Sequence, residues 1–338
     1  MNDDLEPPYP WFGGKSTVMP EVWARFGPVR NFVDPFCGSG ASITARQGGC
    51  TDGVETVNDL DGFVSNFWRA VKADPDAVAD GCDYMVDEVT LEARHRFLCR
   101  QPGKNEFLLK LRHDPDYFDA KRAAYWCWGL CCWIGRGWCA GEYHGLDAEE
   151  NHGQGVCNDA RKRPHLGRGH GVNRQRPHLG HGGHGVNRSG LLEYMRDLHS
   201  RWRKVRVCCG DWSRVLTDTP LLHAASPTAV FLDPPYLVDV DGKTRDADIY
   251  REESADVAHV VREWAIANGK NPELRIALCG YEGEHVMPHS WDCWEWKAQG
   301  GYANTQASGD NGLANRRRER IWFSPHCRPQ AQGSLFLR

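Results

Sequence analysis

The sequence predicts a doubly wound, mostly parallel α/β sheet interrupted by a mainly helical insertion. Three observations carry that expectation. Short apolar runs that end in Gly- or Pro-rich turns alternate with amphipathic stretches between Asn31 and Ala73. From about Pro75 to Arg203 the alternation stops, and from Val205 onward it returns.

Asn31 to Phe36 reads as a strand, followed by the turn Cys37-Gly38-Ser39-Gly40 and a helix opening near Ala41. Glu55 to Asn58 is the next strand, and Gly62 to Ala73 a helix with Phe63, Phe67 and Ala70 on one face. Within the interruption, Asp114-Pro115 starts an aromatic helix running through Trp126 and Trp133. Ser189 caps a helix carrying Leu192, Met195, Leu198 and Trp202. The later strands are Val205 to Cys209, Ala229 to Leu232 and Leu274 to Leu278, with a helix over Val257 to Ala267 between the last two. Glu319 to Phe323 is a final strand, pairing with Cys293 to Lys297. The expected organisation is one α/β domain made of residues 1–73 and 204–338, into which 74–203 are inserted.

A chain of 338 residues is ample for one such domain of about 200 residues with a smaller one inserted. A net charge of -4 argues against a generally basic nucleic-acid binder. The charge is uneven, however: between Ala160 and Arg206 there are twelve Lys or Arg and six His against Glu193 and Asp197. That is the pattern of a local face that meets phosphates, and also of a solvated loop. Inside it, Arg163-Pro164-His165-Leu166-Gly167 and His170-Gly171-Val172-Asn173-Arg174 recur as Arg176 to Gly180 and His184 to Arg188. Two copies this short and this Gly-rich build neither a solenoid nor a core, so 161–188 reads as loops presenting Arg, His and Asn, or as neutral expansion. The fourteen cysteines sit in aromatic or aliphatic runs and read as reduced residues of a cytosolic chain. The acidic opening Met1 to Glu6 is no signal peptide, and the longest apolar run, Ala123 to Ile134, is too short to span a bilayer.

Asp233-Pro234-Pro235-Tyr236 follows the buried-strand candidate directly and is the most informative segment. Each proline fixes its own φ and biases its predecessor toward extended geometry, so Asp233 and Tyr236 leave the strand end in a nearly fixed relation. An exocyclic base amine is a poor nucleophile because its lone pair is delocalised. The Asp233 carboxylate and the Pro234 carbonyl are suited to accept its two N–H bonds and turn the lone pair toward an electrophile. Tyr236 offers a flat face for an extruded base, a contact worth about 1–3 kcal/mol. An ordinary strand-to-loop turn is the plain alternative.

Asp34-Pro35-Phe36-Cys37-Gly38-Ser39-Gly40 lies at a strand end and opens a helix, so a ligand can approach its backbone. A complete dinucleotide fingerprint needs a third glycine where Ile43 stands, which disfavours nicotinamide cofactors. Asp59, after the second strand, is placed to hold a ribose diol or to be an exposed turn residue. Gly13-Gly14-Lys15-Ser16 imitates the end of a phosphate loop, but the earlier glycine is replaced by Tyr9, which argues against ATP.

Trp11-Phe12-Gly13-Gly14-Lys15, then Asp34 to Gly40, then Asp233 to Tyr236, in that order with a variable region between the last two, resembles the Dam-like class of adenine-specific DNA methyltransferases. The resemblance implies a Rossmann-like methyltransferase sheet of seven strands, double-stranded DNA as substrate, S-adenosyl-L-methionine as cofactor and N6-methyladenine as product. It implies that Tyr9, Trp11 and Lys15 meet the methionine end of the cofactor. Asp34, Phe36 and Gly38 are then placed around its methionine and sugar, Asp59 on the ribose, and Asp211 with Trp212 beside its adenine. Residues 74–203 correspond to the target-recognition region. The repeats depart from the family pattern and put the recognition sequence, not the chemistry, in question.

On this reading a flipped adenine stacks on Tyr236 and is oriented by Asp233 and Pro234 for direct displacement, with no covalent intermediate. Transfer to the cytosine exocyclic amine uses similar geometry, and a catalytically idle DNA-binding or anti-restriction protein is a rival of another class. Arg163, Arg168, Arg174, Arg176 and Arg188 are the expected DNA contacts. No metal is expected: Cys127, Cys131, Cys132, Cys139 and His144 match no standard ligand spacing, and the interleaved tryptophans indicate helix packing. The chain is expected to be cytoplasmic, without a membrane or an obligatory protein partner, and to act as a monomer or homodimer.

Overall fold

The computed structural model describes residues 5–11, 13–46, 48–49, 53–100, 103–114, 116–133, 138–139, 188–222, 227–236, 257–296 and 319–330, with backbone alone at 188, 189 and 222. Its strands are β1 (Asn31–Asp34), β2 (Val54–Asp59), β3 (Arg206–Cys209), β4 (Thr228–Leu232), β5 (Leu274–Tyr281), β6 (Asp292–Glu295) and β7 (Glu319–Phe323). They form one seven-stranded sheet in the order β3-β2-β1-β4-β5-β7-β6. β3, β2, β1, β4 and β5 are parallel neighbours, while β7 runs antiparallel to both β5 and β6. The chain winds outward from β1 through β2 to β3, then crosses to β4 on β1's other side. That reversal opens a crevice beyond the carboxyl ends of β1 and β4, where doubly wound sheets bind ligands.

β1 and β4 are buried along their whole length, as strands covered on both faces are, and β4 carries the matching apolar run Ala229 to Leu232. β1 stops at Asp34, two residues short of the expected Phe36, because Pro35 has no N–H to give to the ladder. β6 covers 292–295, slightly displaced from the expected 293–297; Lys297 lies outside the described residues.

The helices are α1 (Met19–Phe26), α2 (Ala41–Thr44), α3 (Gly62–Ala73), α4 (Pro75–Cys82), α5 (Glu88–Cys99), α6 (Gly103–His113), α7 (Ala120–Cys132), α8 (Arg188–Trp202), α9 (Asp218–Leu222) and α10 (Val257–Asn268), with a 3-10 turn at Trp212–Val215. Aspartates set several starts: Asp61, Asp74, Asp87 and Asp119 accept the backbone N–H of Phe63, Ala77, Thr90 and Arg122. The aromatic helix therefore begins at Asp119, not at Asp114, which follows α6. Ser189 is the second residue of α8 and not its cap.

α4, α7 and α8 pack with α3 on one face of the sheet. Their side chains join a single buried cluster that includes Phe32 of β1, Phe67 and Trp68 of α3, Trp126 and Trp128 of α7, and Leu198 of α8. A smaller cluster on the other face joins Val33, Val230 and Ile276 to Val261 and Ala265 of α10. Where α8 meets α3, Trp68 and Trp202 stack with centroids 3.4 Å apart and planes 6° from parallel. Beside this stack the buried Glu55 of β2 receives Arg201 of α8 in a two-pronged pair, at 2.7 and 2.8 Å, and Arg46 at 2.9 Å. The central sheet and α8 are thus joined by one buried carboxylate.

Replacing Glu55 with Gln leaves two guanidinium groups sharing an uncharged partner at a buried site. The expected cost is about 3–5 kcal/mol, the range for breaking a buried pair, read as a lower urea midpoint with the denaturant slope preserved. A midpoint within error of the parent would show that this pair does not fasten α8 to the sheet.

Candidate active site

Four of the parallel strands end in, or within two residues of, a carboxylate. Asp34 closes β1, Asp59 closes β2, Asp211 follows β3 by two residues, and Asp233 follows β4 directly. Antiparallel β7 adds Glu319, whose place opposite Tyr281 brings it to the same edge as the carboxyl end of β5. Into this group comes Lys15 from the segment ahead of α1, almost fully buried at 3 % exposure. Its Nζ lies 3.1 Å from Asp233 Oδ1 and 3.7 Å from Glu319 Oε2, and donates to Gly13 O at 2.5 Å. A buried ammonium without such partners would be very costly, so the geometry of Lys15 and Asp233 is mutually imposed.

Asp233 is held from a second side. Tyr236 Oη donates to the same Oδ1 at 3.0 Å, closing a compact turn over the two prolines. Burial, with Asp233 close by, pushes the Tyr236 phenol well above its usual range, so it remains a donor. The Tyr236 ring meets Tyr281 edge-on at 4.6 Å, and the Lys15 ammonium lies 5.0 Å from its centroid.

Asp34 is buried and accepts from Phe36 N at 3.0 Å and from Ser42 Oγ at 2.5 Å. Burial raises its pKa from 3.8 to about 7, opposed by those two hydrogen bonds and reinforced by Asp233 and Asp59. Asp59 receives Gly38 N on one oxygen at 2.9 Å and Asp61 N on the other at 2.8 Å. Gly38 has φ 49°, a left-handed conformation, and a Cβ there would run into Trp11 Nε1. Tyr9 donates from its hydroxyl to Gly38 O at 3.0 Å, while its ring is buried between Phe67 and Trp126. At the opposite rim Phe36 and Trp212 stack at 6.3 Å, and Asp211 caps the 3-10 turn by accepting from Ser213 N.

The structure therefore gathers Lys15, Asp34, Asp233 and Tyr236 at the switch point, and Tyr9, Trp11, Gly38 and Asp59 around the first glycine turn. Phe36, Asp211 and Trp212 stand on the β3 side. Arg163, Arg168, Arg174 and Arg176 lie outside the described residues, as does the side chain of Arg188. Of the cysteines set aside as ligands, Cys127 and Cys131 point from α7 toward Pro8 O at 3.9 and 3.7 Å, in keeping with helix packing, and His144 lies outside the described residues.

Sequence reasoning missed three residues. Glu319 reaches the site only through the antiparallel turn-back of β7. Tyr281 does so from the end of β5, three residues beyond the expected Leu278. Asn58, buried beside Asp59, donates to Pro35 O at 3.1 Å and Gly210 O at 2.8 Å, tying together the turns that follow β1 and β3.

The strand order, the antiparallel final pair and the acidic crevice at the switch point together define a Rossmann-like methyltransferase fold. Residues 11–125, from the Lys15 segment into the first turns of α7, match the model of the D12 class N6 adenine-specific DNA methyltransferase family, which supports DNA methylation at adenine. Asp233 and Tyr236 lie beyond the matched residues. No curated protein sequence matches the chain. No described helix is long and apolar enough to cross a membrane.

Asp34 gives the site a pH signature. Its folded pKa lies above the ordinary value, so its contribution to stability is complete below about pH 4 and is lost as pH rises to about 7. The loss is on the order of 4 kcal/mol. Urea midpoints of the parent between pH 4 and 8 are expected to fall relative to those of Asp34→Asn, which cannot titrate there. Parallel pH profiles for the two proteins would show that Asp34 ionises normally in the fold.

Proposed function

We propose that this chain transfers a methyl group from S-adenosyl-L-methionine to the N6 amine of an adenine flipped out of double-stranded DNA. The observation that carries the reading is the fixing of Asp233 at the switch point by Lys15 and Tyr236. Its carboxylate is immobilised at the end of β4, beside the crevice that the β1 and β2 aspartates line. The two prolines restrict the backbone on which it sits.

The crevice residues fit the cofactor. Asp59 and Asp233 lie close enough to Asp34 to raise its ionisation cost, an acidic surrounding that suits a positively charged sulfonium. The Asp59 carboxylate is oriented by backbone N–H groups on both oxygens, and buried Asn58 Oδ1 accepts no hydrogen bond among the described residues. Asp59 would hold the ribose diol, Asp211 and Trp212 the adenine, Phe36 and Gly38 the sugar and methionine, and Trp11 and Lys15 the methionine end. Tyr9 serves this set by holding Gly38 O. The cofactor supplies an electrophilic methyl when bound.

The chain's own residues then act by alignment. Asp233 Oδ and Pro234 O accept the two N–H bonds of the target amine, and the lone pair that these bonds expose is aimed at the methyl group. Tyr236 gives the base an aromatic surface and keeps Asp233 in register through its hydroxyl. The proton displaced from the amine passes to Asp233 or to water. Orientation and fixed charge supply the rate enhancement, and flipping makes the amine accessible. Residues 74–203 are the target-recognition region, and Arg163, Arg168, Arg174, Arg176 and Arg188 are the proposed phosphate contacts.

Incubation of random-sequence DNA with the protein and labelled cofactor, followed by single-molecule sequencing and nucleoside analysis, is expected to show N6-methyladenine in a fixed sequence context. Asp233→Ala is expected to lower that incorporation by at least about 100-fold, the scale of one positioned general-base or alignment group, while retaining cofactor binding by calorimetry. N4-methylcytosine in the product would reassign the base. Full activity in Asp233→Ala would remove the proposed role of the carboxylate.

A further inference from the structure

In the helices between β2 and β3, a second set of side chains comes together. His95 and Cys99 lie one helical turn apart on α5, so both project from one face. Cys139, from the segment beyond α7, meets them. The ligand atoms of all three lie within 4.8 Å of one another, and the residues are 3 %, 2 % and 0 % exposed. His95 Nε2 and Cys99 Sγ are 3.7 Å apart. Around a tetrahedral zinc ion, bond lengths of about 2.0–2.1 Å to nitrogen and 2.3 Å to sulfur put neighbouring ligand atoms about 3.6–3.8 Å apart. The observed separation is of that size.

The surroundings are built to hold this arrangement. The His95 ring stacks on Trp133 at 5.4 Å and 13°, and meets Trp138 at 5.0 Å. Trp138 donates from its indole to Trp126 O at 3.1 Å and lies so close to α7 that a Cβ on Gly129 would collide with it. The neighbouring residue, Cys139, is thereby fixed with φ 62°, the positive φ found outside glycine among the described residues. A non-glycine residue in that region is strained and persists where its surroundings over-determine it. The tryptophans exclude water, and in a dry site two thiolates and a neutral imidazole are balanced by a divalent cation of borderline softness.

We propose that His95, Cys99 and Cys139 are three ligands of a structural zinc ion that fastens α5 to the segment following α7 and so stiffens the inserted helical region. Sequence spacing hides this set: one ligand pair is H-x3-C within a helix, the third ligand lies 40 positions beyond Cys99, and His95 belongs to no cysteine-rich run. The site is independent of the methyl-transfer chemistry.

The test is elemental analysis of the full chain, expressed with zinc supplementation and purified in a non-thiol reductant. One zinc per chain is expected, lost in Cys99→Ser and in Cys139→Ser and retained in the exposed-cysteine control Cys293→Ser. Because either serine variant can fail to fold, cobalt(II) added to chelator-stripped parent protein provides a second readout. A thiolate-to-cobalt charge-transfer band with tetrahedral visible bands is expected, bleached by added zinc. Parent protein without zinc and without that band overturns the proposal. So does zinc retained in both serine variants, or a Cys99–Cys139 disulfide in the peptide map.

Discussion

The buried pair between Lys15 and Asp233 is the constraint on which the rest of the site depends. An ammonium at 3 % exposure is tolerable only beside carboxylates, and a carboxylate at a strand end has many directions in which to point. Together they fix one another. Lys15 reaches Asp233 because the segment before α1 turns back over the sheet through Gly13, to whose carbonyl it also donates. Glu319 of β7 and the phenol of Tyr236 complete the enclosure, so three separate stretches of chain meet at one charge. A site assembled in this way is already oriented before any substrate enters, which is what catalysis by alignment requires.

The same crevice carries an electrostatic tension. Asp34, buried at the end of β1, is near enough to Asp233 and Asp59 for each to disfavour its ionisation. Asp34 is therefore the member of this group whose charge the fold disfavours, while Asp233 faces the Lys15 ammonium.

The helices between β2 and β3 are tied to the sheet by a different physics. Large aromatic surfaces do most of the work: Trp68 on Trp202, Phe63 and Phe67 on Trp126, and Tyr9 between Phe67 and Trp126. Glu55 with Arg46 and Arg201 adds direction to this otherwise non-directional contact. Because Tyr9 also holds Gly38 O, the packing of the insertion and the shape of the glycine turn are mechanically continuous.

Local pattern determined a good deal in advance. A continuous apolar run marked β4, the period of Phe63, Phe67 and Ala70 marked α3 to its ends, and the paired prolines announced the elbow at Asp233. These signals are short-range consequences of φ restriction and side-chain periodicity, so they survive without knowledge of the fold. Helix starts were less legible, because several aspartates stood near each candidate boundary and only tertiary packing chose Asp119 over Asp114. What tertiary structure alone decided was partnership across distance: Lys15 with Asp233 and Glu319, Glu55 with Arg201, Cys139 with His95 and Cys99. Such pairings depend on strand order, on the antiparallel return of β7 and on how helices stack. Those are set by burial summed over the whole chain, a quantity that no short window of residues contains.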